Sequence, residues 1–187
     1  CIAGNHDWAA VGKLDISDFN PYAARACLWT RRRLSPEAVC YLENLPLRLC
    51  CAEFTLVHGS PHDPIWEYVV STRSAQTNFG RFSTRFCLVG HSHLPLMFAH
   101  VSAETAPSLK ELPSLISIKR GQRRLIINPG SVGQPRDGDP RASYILYHAD
   151  EAGLHHYRVP YDIAATQQKM LQRGLPHSLA ARLGYGC

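Results

Sequence analysis

The sequence predicts a layered α/β fold in which helices pack against mixed β-sheets. Helix start signals and apolar side chains at a helical spacing dominate the first third of the 187 residues, whereas short apolar runs typical of strands dominate the middle. Hydrophobic residues make up 45% and charged residues 19% of the chain, a globular composition that excludes intrinsic disorder. At roughly 150 residues per domain, residues 1–187 are expected to form a single domain.

The first third of the chain is expected to be mainly helical. Asn20 and Ser35 each precede a proline, and an N-cap residue followed by proline is a common helix start. The apolar tripeptide before the first glycine is typical of a strand end instead. The elements expected here are a strand end at residues 1–3, a turn at 4–7, a polar loop at 13–20 and helices at 21–33 and 36–45.

The rest of the chain is expected to hold the sheets. Apolar residues form short runs bounded by Gly, Pro, Asn or His, as strands do. Gly174 is placed to end a helix. We expect strands at residues 53–58, 85–89 and 95–101, a hairpin of 115–119 with 123–128 around Gly121, a second hairpin of 142–148 with 154–159, a loop at 105–113, and helices at 72–83, 163–172 and 176–183.

The charge and the cysteine content exclude several classes of protein. The net charge is +5 and the basic residues are dispersed, which suits a small anionic substrate better than a nucleic-acid-binding face. No apolar run approaches the ~20 residues of a membrane span, so we expect no membrane partner. The seven cysteines form no CxxC pair, which favours reduced thiols and a cytoplasmic location over a disulfide framework or a zinc–cysteine site.

Three histidine motifs stand beside glycines at the ends of expected strands. Loops at strand ends converge in layered sheets, so these side chains are expected to meet. Imidazole binds Zn, Mn, Fe and Ni alike, and an asparagine oxygen is a further ligand. One histidine after a strand is more often a structural residue, so the specificity of the signal lies in the set. The motifs are Gly4-Asn5-His6-Asp7, His58-Gly59 and Gly90-His91-Ser92-His93.

In this order and at these spacings, the three motifs resemble those of the calcineurin-like metallophosphoesterases. Segments 128–136 and 139–144 extend the similarity to the small bacterial and archaeal single-domain members, over residues 4 to about 157. The resemblance implies a four-layer αββα sandwich that carries two divalent metal ions, drawn from Mn, Ni, Fe, Zn and Mg. It also implies a hydrolase in which a metal-activated hydroxide cleaves a phosphodiester or a phosphomonoester.

Carried over by motif, the resemblance implies that Asn5, His58 and His91 bind one metal ion and that His93 binds the other. The D-x-H and G-D-x-x-D motifs, which supply the carboxylates of the family's metal centre, are absent from the chain. We therefore expect an incomplete metal site in an N-terminally truncated sandwich, with the chain a fragment that is inactive alone. A naturally shortened, inactive relative is the alternative.

The resemblance also implies two catalytic residues. His6 would act as an acid near the leaving-group oxygen, and Asp7 would orient it through a carboxylate–imidazole hydrogen bond. The alternative for Asp7 is a cap of the turn. Arg136 is a candidate for substrate binding, while the alternative for segment 128–136 as a whole is a junction between a strand and a loop.

Three hypotheses for function stay open on the sequence alone. The first is a metal-dependent phosphoesterase acting on a small phosphorylated substrate, where Trp66 and Tyr68 either join the core or wall the pocket and stack on a base or aryl group. The second is a non-catalytic binding or scaffold relative that keeps the fold. The third is a nucleic-acid-binding protein using the arginines of segments 31–33 and 120–124; otherwise nucleic acid is expected only as a phosphodiester substrate.

Overall fold

The computed structural model describes residues 1–100, 105–117, 123–151 and 153–187, and it confirms the predicted α/β architecture. The helices are α1 (Asn5–Val11), α2 (Pro21–Arg31), α3 (Pro36–Glu43), α4 (Thr72–Phe79), α5 (Ile163–Gln172) and α6 (His177–Ala181), with 3₁₀ turns at Ile16–Asp18 and Arg182–Gly184. The strands are β1 (Arg48–Cys51), β2 (Phe54–Val57), β3 (Phe86–Leu88), β4 (Pro95–His100), β5 (Ser108–Glu111), β6 (Leu115–Ser117), β7 (Arg124–Pro129), β8 (Ala142–His148) and β9 (Gly153–Val159).

Two sheets organise these strands. The larger has six strands in the order β1-β2-β3-β7-β4-β5, and its central strands β2, β3 and β7 are parallel. The outer pairs, β1 with β2, β4 with β7 and β4 with β5, are antiparallel, so the sheet is mixed as expected. The smaller sheet is antiparallel, in the order β6-β9-β8.

The core occupies both faces of the larger sheet. On one face, Phe86 and Ile127 pack with Leu154 of the smaller sheet, so the two sheets lie against each other. On the other face, Phe98 and Ile126 belong to the cluster that includes Ala75 and Phe79 of α4. This burial on both faces explains why β3 and β7 are nearly continuous apolar runs.

The first residues depart from the expected strand end and turn. Ala3 belongs to no strand, and its N–H donates to the carbonyl oxygen of Pro46 at 2.9 Å. The expected turn is the first turn of α1, because the carboxylate of Asp7 accepts the Gly4 N–H at 2.8 Å and so caps the helix. Gly12, at φ +89°, ends this helix in the left-handed conformation.

The capping signals located the starts of α2 and α3. The side chains of Asn20 and Ser35 accept the N–H groups of Ala23 and Ala38, at 3.0 and 3.2 Å. Gly174, at φ +72°, follows α5 as predicted. In the described part of the chain, no helix is long and apolar enough to cross a membrane.

Two strand predictions were wrong. The expected hairpin of 115–119 with 123–128 does not form, because β6 pairs with β9 in the smaller sheet while β7 lies between β3 and β4; Gly121 lies outside the described residues. The expected loop at 105–113 contains β5, an exposed edge strand that takes its register from β4. Such polar edge strands lack the alternation of apolar and polar residues that identifies half-buried strands in a sequence. The second hairpin, of β8 with β9, is confirmed.

Replacing Phe98 tests the cluster that joins the larger sheet to α4. Phe98 is only 1% exposed, so Phe98→Ala should leave a cavity and lower the free energy of unfolding by about 3–5 kcal/mol. Leu109→Ala on β5 is the matched control, because Leu109 is 47% exposed. It should change the free energy of unfolding by about 0.5 kcal/mol or less. Urea unfolding followed by circular dichroism measures both, and similar losses for the two variants would contradict this account of the core.

Candidate active site

The candidate site lies where the parallel strands of the larger sheet end. His58 directly follows β2, and residues 90–93 form the loop after β3. Because β2 and β3 are parallel neighbours, their carboxyl ends share one edge of the sheet, where loops converge. The first turn of α1 brings Asn5 and His6 to the same edge.

Three polar atoms meet at the base of the site. Nε2 of His58 lies 3.0 Å from Oδ1 of Asn5 and 3.1 Å from Nδ1 of His91. Asn5 is 5% and His91 6% exposed, so water does not solvate this cluster freely. A neutral His58 ring has at most one proton on Nε2, and this proton cannot hydrogen-bond fully to both Asn5 and His91. Unshared electron pairs therefore remain directed into the cluster.

The loop after β3 is strained at both of its histidines. His91 and His93 adopt left-handed backbone conformations, with φ of +59° and +62°. For side chains other than glycine, such a conformation costs on the order of 1–3 kcal/mol and persists only where the surroundings fix it. His93 is held in addition by its Nδ1, which lies 2.7 Å from the carbonyl oxygen of Gln134.

Asn128 at the end of β7 holds this strained loop in place. Its side-chain amide donates to the carbonyl oxygen of Gly90 at 2.6 Å and to the hydroxyl of Ser92 at 2.9 Å, and its Oδ1 accepts the Gly130 N–H at 3.0 Å. Asn128 is 2% exposed, so all these bonds form away from water. Segment 128–136 therefore joins strand to loop, one of its two predicted alternatives, and it also supports the histidine loop.

His58 is held by a close glycine contact and by its own loop. A Cβ atom at Gly4 would lie 2.9 Å from Nδ1 of His58, so the imidazole can pack there only against glycine. Beyond His58, the loop is anchored by Glu67, whose Oε2 accepts hydrogen bonds from the buried Ser60 hydroxyl and, at 2.9 Å, from the buried Asn78 amide.

A cleft of about 430 Å³ opens above the cluster. Two basic side chains, Arg136 and Arg182, and a single acidic one, Asp18, are among its lining residues. Gln134 orients Arg136, because its Oε1 accepts from Nη2 of the guanidinium at 2.9 Å. The lining residues are Asn5, His6, Asp18, Phe19, Asn20, Ala23, Ala26, Trp66, Tyr68, His91, His93, Gln134, Arg136, Leu179 and Arg182.

Burial keeps the site histidines neutral. Burial first, and then the neighbouring histidines, lower the pKa of His58 to about 4. Burial and the positive charge of Arg136 lower the pKa of His93 to about 4, and the same two causes lower the pKa of His6. Neutral imidazoles keep their electron pairs available at pH 7, as metal ligands must.

The structure corrects the predicted partner of His6. Asp7 caps α1 by accepting the Gly4 N–H, which is the alternative predicted for this residue. Nδ1 of His6 lies 3.3 Å from Sγ of Cys27. Burial raises the pKa of the Cys27 thiol, so the sulfur keeps its proton at neutral pH. The expected carboxylate–imidazole hydrogen bond is thus replaced by a thiol–imidazole contact.

The cluster has the spacing of ligands around one cation. Two ligand atoms about 2.1 Å from a common ion and at right angles lie about 3.0 Å apart, which is close to the distances from His58 Nε2 to Asn5 Oδ1 and to His91 Nδ1. These residues thus fit part of the coordination shell of one divalent ion with three neutral donors. Within the described ranges, no group of three His, Cys, Asp or Glu side chains is arranged to hold a metal ion.

Comparison with known proteins gives the family. The family model of the calcineurin-like phosphoesterase superfamily domain matches residues 1–152. The chain belongs to the calcineurin-like phosphoesterase superfamily. The resemblance seen in the sequence motifs is thereby confirmed.

Individual proteins are similar to this chain in sequence, in fold or in both. A metallophosphoesterase crystal structure from Sphaerobacter thermophilus is 46% identical, with a TM-score of 0.85 over 100% of this chain and 76% of the other. An uncharacterised protein of Methanocaldococcus jannaschii is 34% identical over 99% of this chain and 74% of its own length. A hypothetical protein of Pyrococcus horikoshii, 19% identical, shares the fold with a TM-score of 0.74 over 100% of this chain and 72% of that one.

Sequence reasoning missed several residues of the cleft and its surroundings. Leu179 and Arg182 come from the C-terminal segment beyond the family match, and no local motif marks them. Phe19 stands in the expected polar loop, where an isolated aromatic residue was the one available signal. No local signal marks the contact of Cys27 with His6, because it depends on how α1 and α2 meet.

Adding a methyl group at Gly4 tests the contact with His58. In Gly4→Ala the new Cβ must displace a ring held by Asn5 and His91, so the free energy of unfolding should fall by about 1–3 kcal/mol. Gly133→Ala is the matched control, because its Cβ would meet nothing within 4 Å, and it should change stability by about 0.5 kcal/mol or less. Urea unfolding compares them, and an equally stable Gly4→Ala variant would refute the close packing.

The lowered pKa values of His58 and His93 predict acid sensitivity. The unfolded chain takes up protons on these rings near pH 6.5, whereas the folded chain does so only near pH 4. Stability should therefore be full above pH 6.5 and fall as the pH is lowered toward 4, by up to about 1.4 kcal/mol per pH unit for each ring. His93→Gln should reduce this slope, while His177→Gln at an exposed position should leave it unchanged; urea unfolding between pH 4 and 7.5 measures it.

Proposed function

We propose that this chain hydrolyses phosphoesters, either diesters or small monoesters, in the cleft above the histidine cluster; a chain that is inactive alone, as the absence of the two carboxylate motifs predicts, is the alternative. The observation that carries the proposal is the convergence of Asn5 Oδ1, His58 Nε2 and His91 Nδ1 at the floor of a cleft that also presents Arg136. Membership of a phosphoesterase superfamily and the similarity to a metallophosphoesterase of solved structure support the reaction class.

The proposed metal ligands follow the geometry of the cluster. Asn5, His58 and His91 would hold one divalent cation, and His93, on the same cleft, would contribute to a second. When bound, such cations stabilise charge on the phosphoryl oxygens and make water acidic enough to attack phosphorus at neutral pH. The cleft residues then bind the phosphate group, orient it and move a proton.

Arg136 is proposed to bind the phosphate. Its positive charge is close enough to lower the pKa of His6, His91 and His93, so it stands beside the residues that surround the reacting group. The guanidinium, held from one side by Gln134, offers donors in a fixed fork that matches two phosphate oxygens.

His6 is proposed to protonate the leaving-group oxygen. In the protonated ring both nitrogens carry hydrogen: Nδ1–H faces Sγ of Cys27, 3.3 Å away, and Nε2–H is the donor left for the substrate. Burial and Arg136 lower the pKa of His6 in the free protein, and the negative charge of a bound phosphate would oppose both effects. Substrate binding would thereby favour the protonated ring at the moment when an acid is needed.

A second candidate function is binding of phosphorylated molecules without hydrolysis. It is favoured by the absence of a carboxylate from the cluster: the described cleft residues include Asp18 as their one acidic side chain, and the cluster itself has three neutral donors. Without a bridging anion, two closely spaced dications repel each other strongly. A chain that binds an intact phosphate ester but never releases phosphate from it would match this second function.

Hydrolysis of bis(para-nitrophenyl) phosphate and para-nitrophenyl phosphate tests the proposed reaction. With Mn²⁺, Ni²⁺, Fe²⁺, Zn²⁺ or Mg²⁺ supplied in turn, at least one metal should stimulate release of nitrophenol, and chelation should abolish it. His91→Ala removes a central ligand and should lower kcat/KM by roughly 100-fold or more.

His177→Ala, at an exposed position on α6, is the matched histidine control and should retain full activity. Metal-independent hydrolysis, or His91→Ala with unchanged kcat/KM, would count against the proposal. No hydrolysis with any metal, together with tight binding of the intact ester, would instead favour the binding function.

A further inference from the structure

Three aromatic side chains, Phe19, Trp66 and Tyr68, line the cleft beside the histidine cluster, and we name them the aromatic wall. Phe19 and Trp66 contact each other edge to face, with ring centroids 5.3 Å apart and an interplanar angle of 62°. Phe19 also lies edge to face with His6, at 5.1 Å and 74°. Trp66 in turn meets His91 edge to face, at 6.2 Å and 74°, so Phe19 and Trp66 connect the proposed acid to the cluster.

Tyr68 provides a flat surface at the opening of the cleft. Its ring stacks on His91 with centroids 4.2 Å apart and planes inclined by 10°. His91 covers one face of the ring, while the residue is 46% exposed and lines the cleft. A second planar group can stack on the face that His91 leaves uncovered.

The backbone that carries Trp66 is fixed by hydrogen bonds. Oδ1 of Asp63 accepts the N–H groups of Ile65 and Trp66, each at 3.1 Å, which fixes the backbone that carries the indole. Ile65 itself is buried at 6% exposure and anchors the segment. Rigid aromatic side chains bind with little loss of conformational entropy, which favours a binding role over shielding alone.

A phosphate group by itself does not need such a wall. It would be satisfied by Arg136, His6 and the cluster at one end of the cleft, while the aromatic faces would stay in contact with water. The cleft volume of about 430 Å³ falls in the range of sites that enclose small organic ligands. Apolar rings next to an anion site suit a ligand that joins a phosphate to a flat apolar group.

We propose that the aromatic wall binds a planar aromatic ring carried by the phosphoester, so that the chain selects aryl-bearing or nucleobase-bearing phosphoesters over aliphatic ones. The proposal rests on the proposed phosphoesterase function, whose substrate class it specifies. Tyr68 stacks on the ring, and Phe19 and Trp66 meet its edge. Stacking on an aromatic side chain favours binding by about tenfold or more.

Matched substrate pairs test this selectivity. Benzyl phosphate and cyclohexylmethyl phosphate differ in the aromaticity of one ring but leave as primary alcohols of similar acidity. Adenosine monophosphate and ribose phosphate form a second pair that isolates a nucleobase. We expect kcat/KM, measured as phosphate release with the stimulating metal, to favour the aromatic member at least tenfold in one pair; the benzyl pair identifies a small aryl ligand and the adenosine pair a nucleobase.

Variants of the wall show whether the preference arises there. Tyr68→Leu should lower the ratio of kcat/KM for the aromatic substrate to kcat/KM for the aliphatic one toward one, mainly through KM. Tyr68→Phe should preserve this ratio. Any disturbance of His91 would slow hydrolysis of both substrates of a pair equally. The ratio of their kcat/KM values is therefore insensitive to such a disturbance. Tyr41→Leu replaces a tyrosine that is 56% exposed and outside the cleft, and it should leave the ratio unchanged.

The outcomes separate this proposal from the proposed function. Hydrolysis of aromatic and aliphatic esters at equal rates, or a preference that survives Tyr68→Leu, would overturn the aromatic subsite and leave the phosphoesterase intact. If no ester is hydrolysed, the phosphoesterase proposal fails. Calorimetry with benzyl phosphonate and cyclohexylmethyl phosphonate then decides the subsite, since equal affinities would overturn it and tighter binding of the benzyl compound would support it.

Discussion

The meeting of Asn5, His58 and His91 at distances of 3.0 and 3.1 Å is the constraint on which the rest of the site depends. Burying three polar groups whose hydrogen bonds cannot all be satisfied is unfavourable, by about 1–3 kcal/mol for each unsatisfied group. The fold sustains this arrangement because two parallel strands, β2 and β3, deliver two of the three residues to one edge of a sheet that is buried on both faces.

Several features outside the cluster follow from it. The absence of a side chain at Gly4 lets the His58 ring approach α1 closely, and the buried amide of Asn128 stabilises a loop in which two histidines adopt left-handed backbone. Strain of this kind is concentrated where chemistry requires a fixed geometry. The same burial keeps the imidazoles neutral, so one physical cause gives both the position and the protonation state of the site.

Much of this architecture could be predicted from the sequence, because its signals are local. Asn20 and Ser35 carry their caps in their own side chains, and the glycine–histidine motifs mark the ends of apolar strands. The errors share a physical reason: they concern partners distant in sequence. Strand β6 pairs with β9 rather than β7, His6 contacts Cys27 rather than Asp7, and Arg182 reaches the cleft from the 3₁₀ turn after α6. No local pattern encodes such long-range packing.

The central claim, that the cluster is a cation site, is tested most directly by titrating the protein with Mn²⁺ and following free Mn²⁺ by electron paramagnetic resonance. The account predicts a saturable loss of the free-ion signal with the parent protein. It predicts that His58→Ala and Asn5→Ala abolish or greatly weaken this binding, because each removes one of three converging donors, while His177→Ala retains it. Absence of binding by the parent protein, or undiminished binding by His58→Ala, would contradict it.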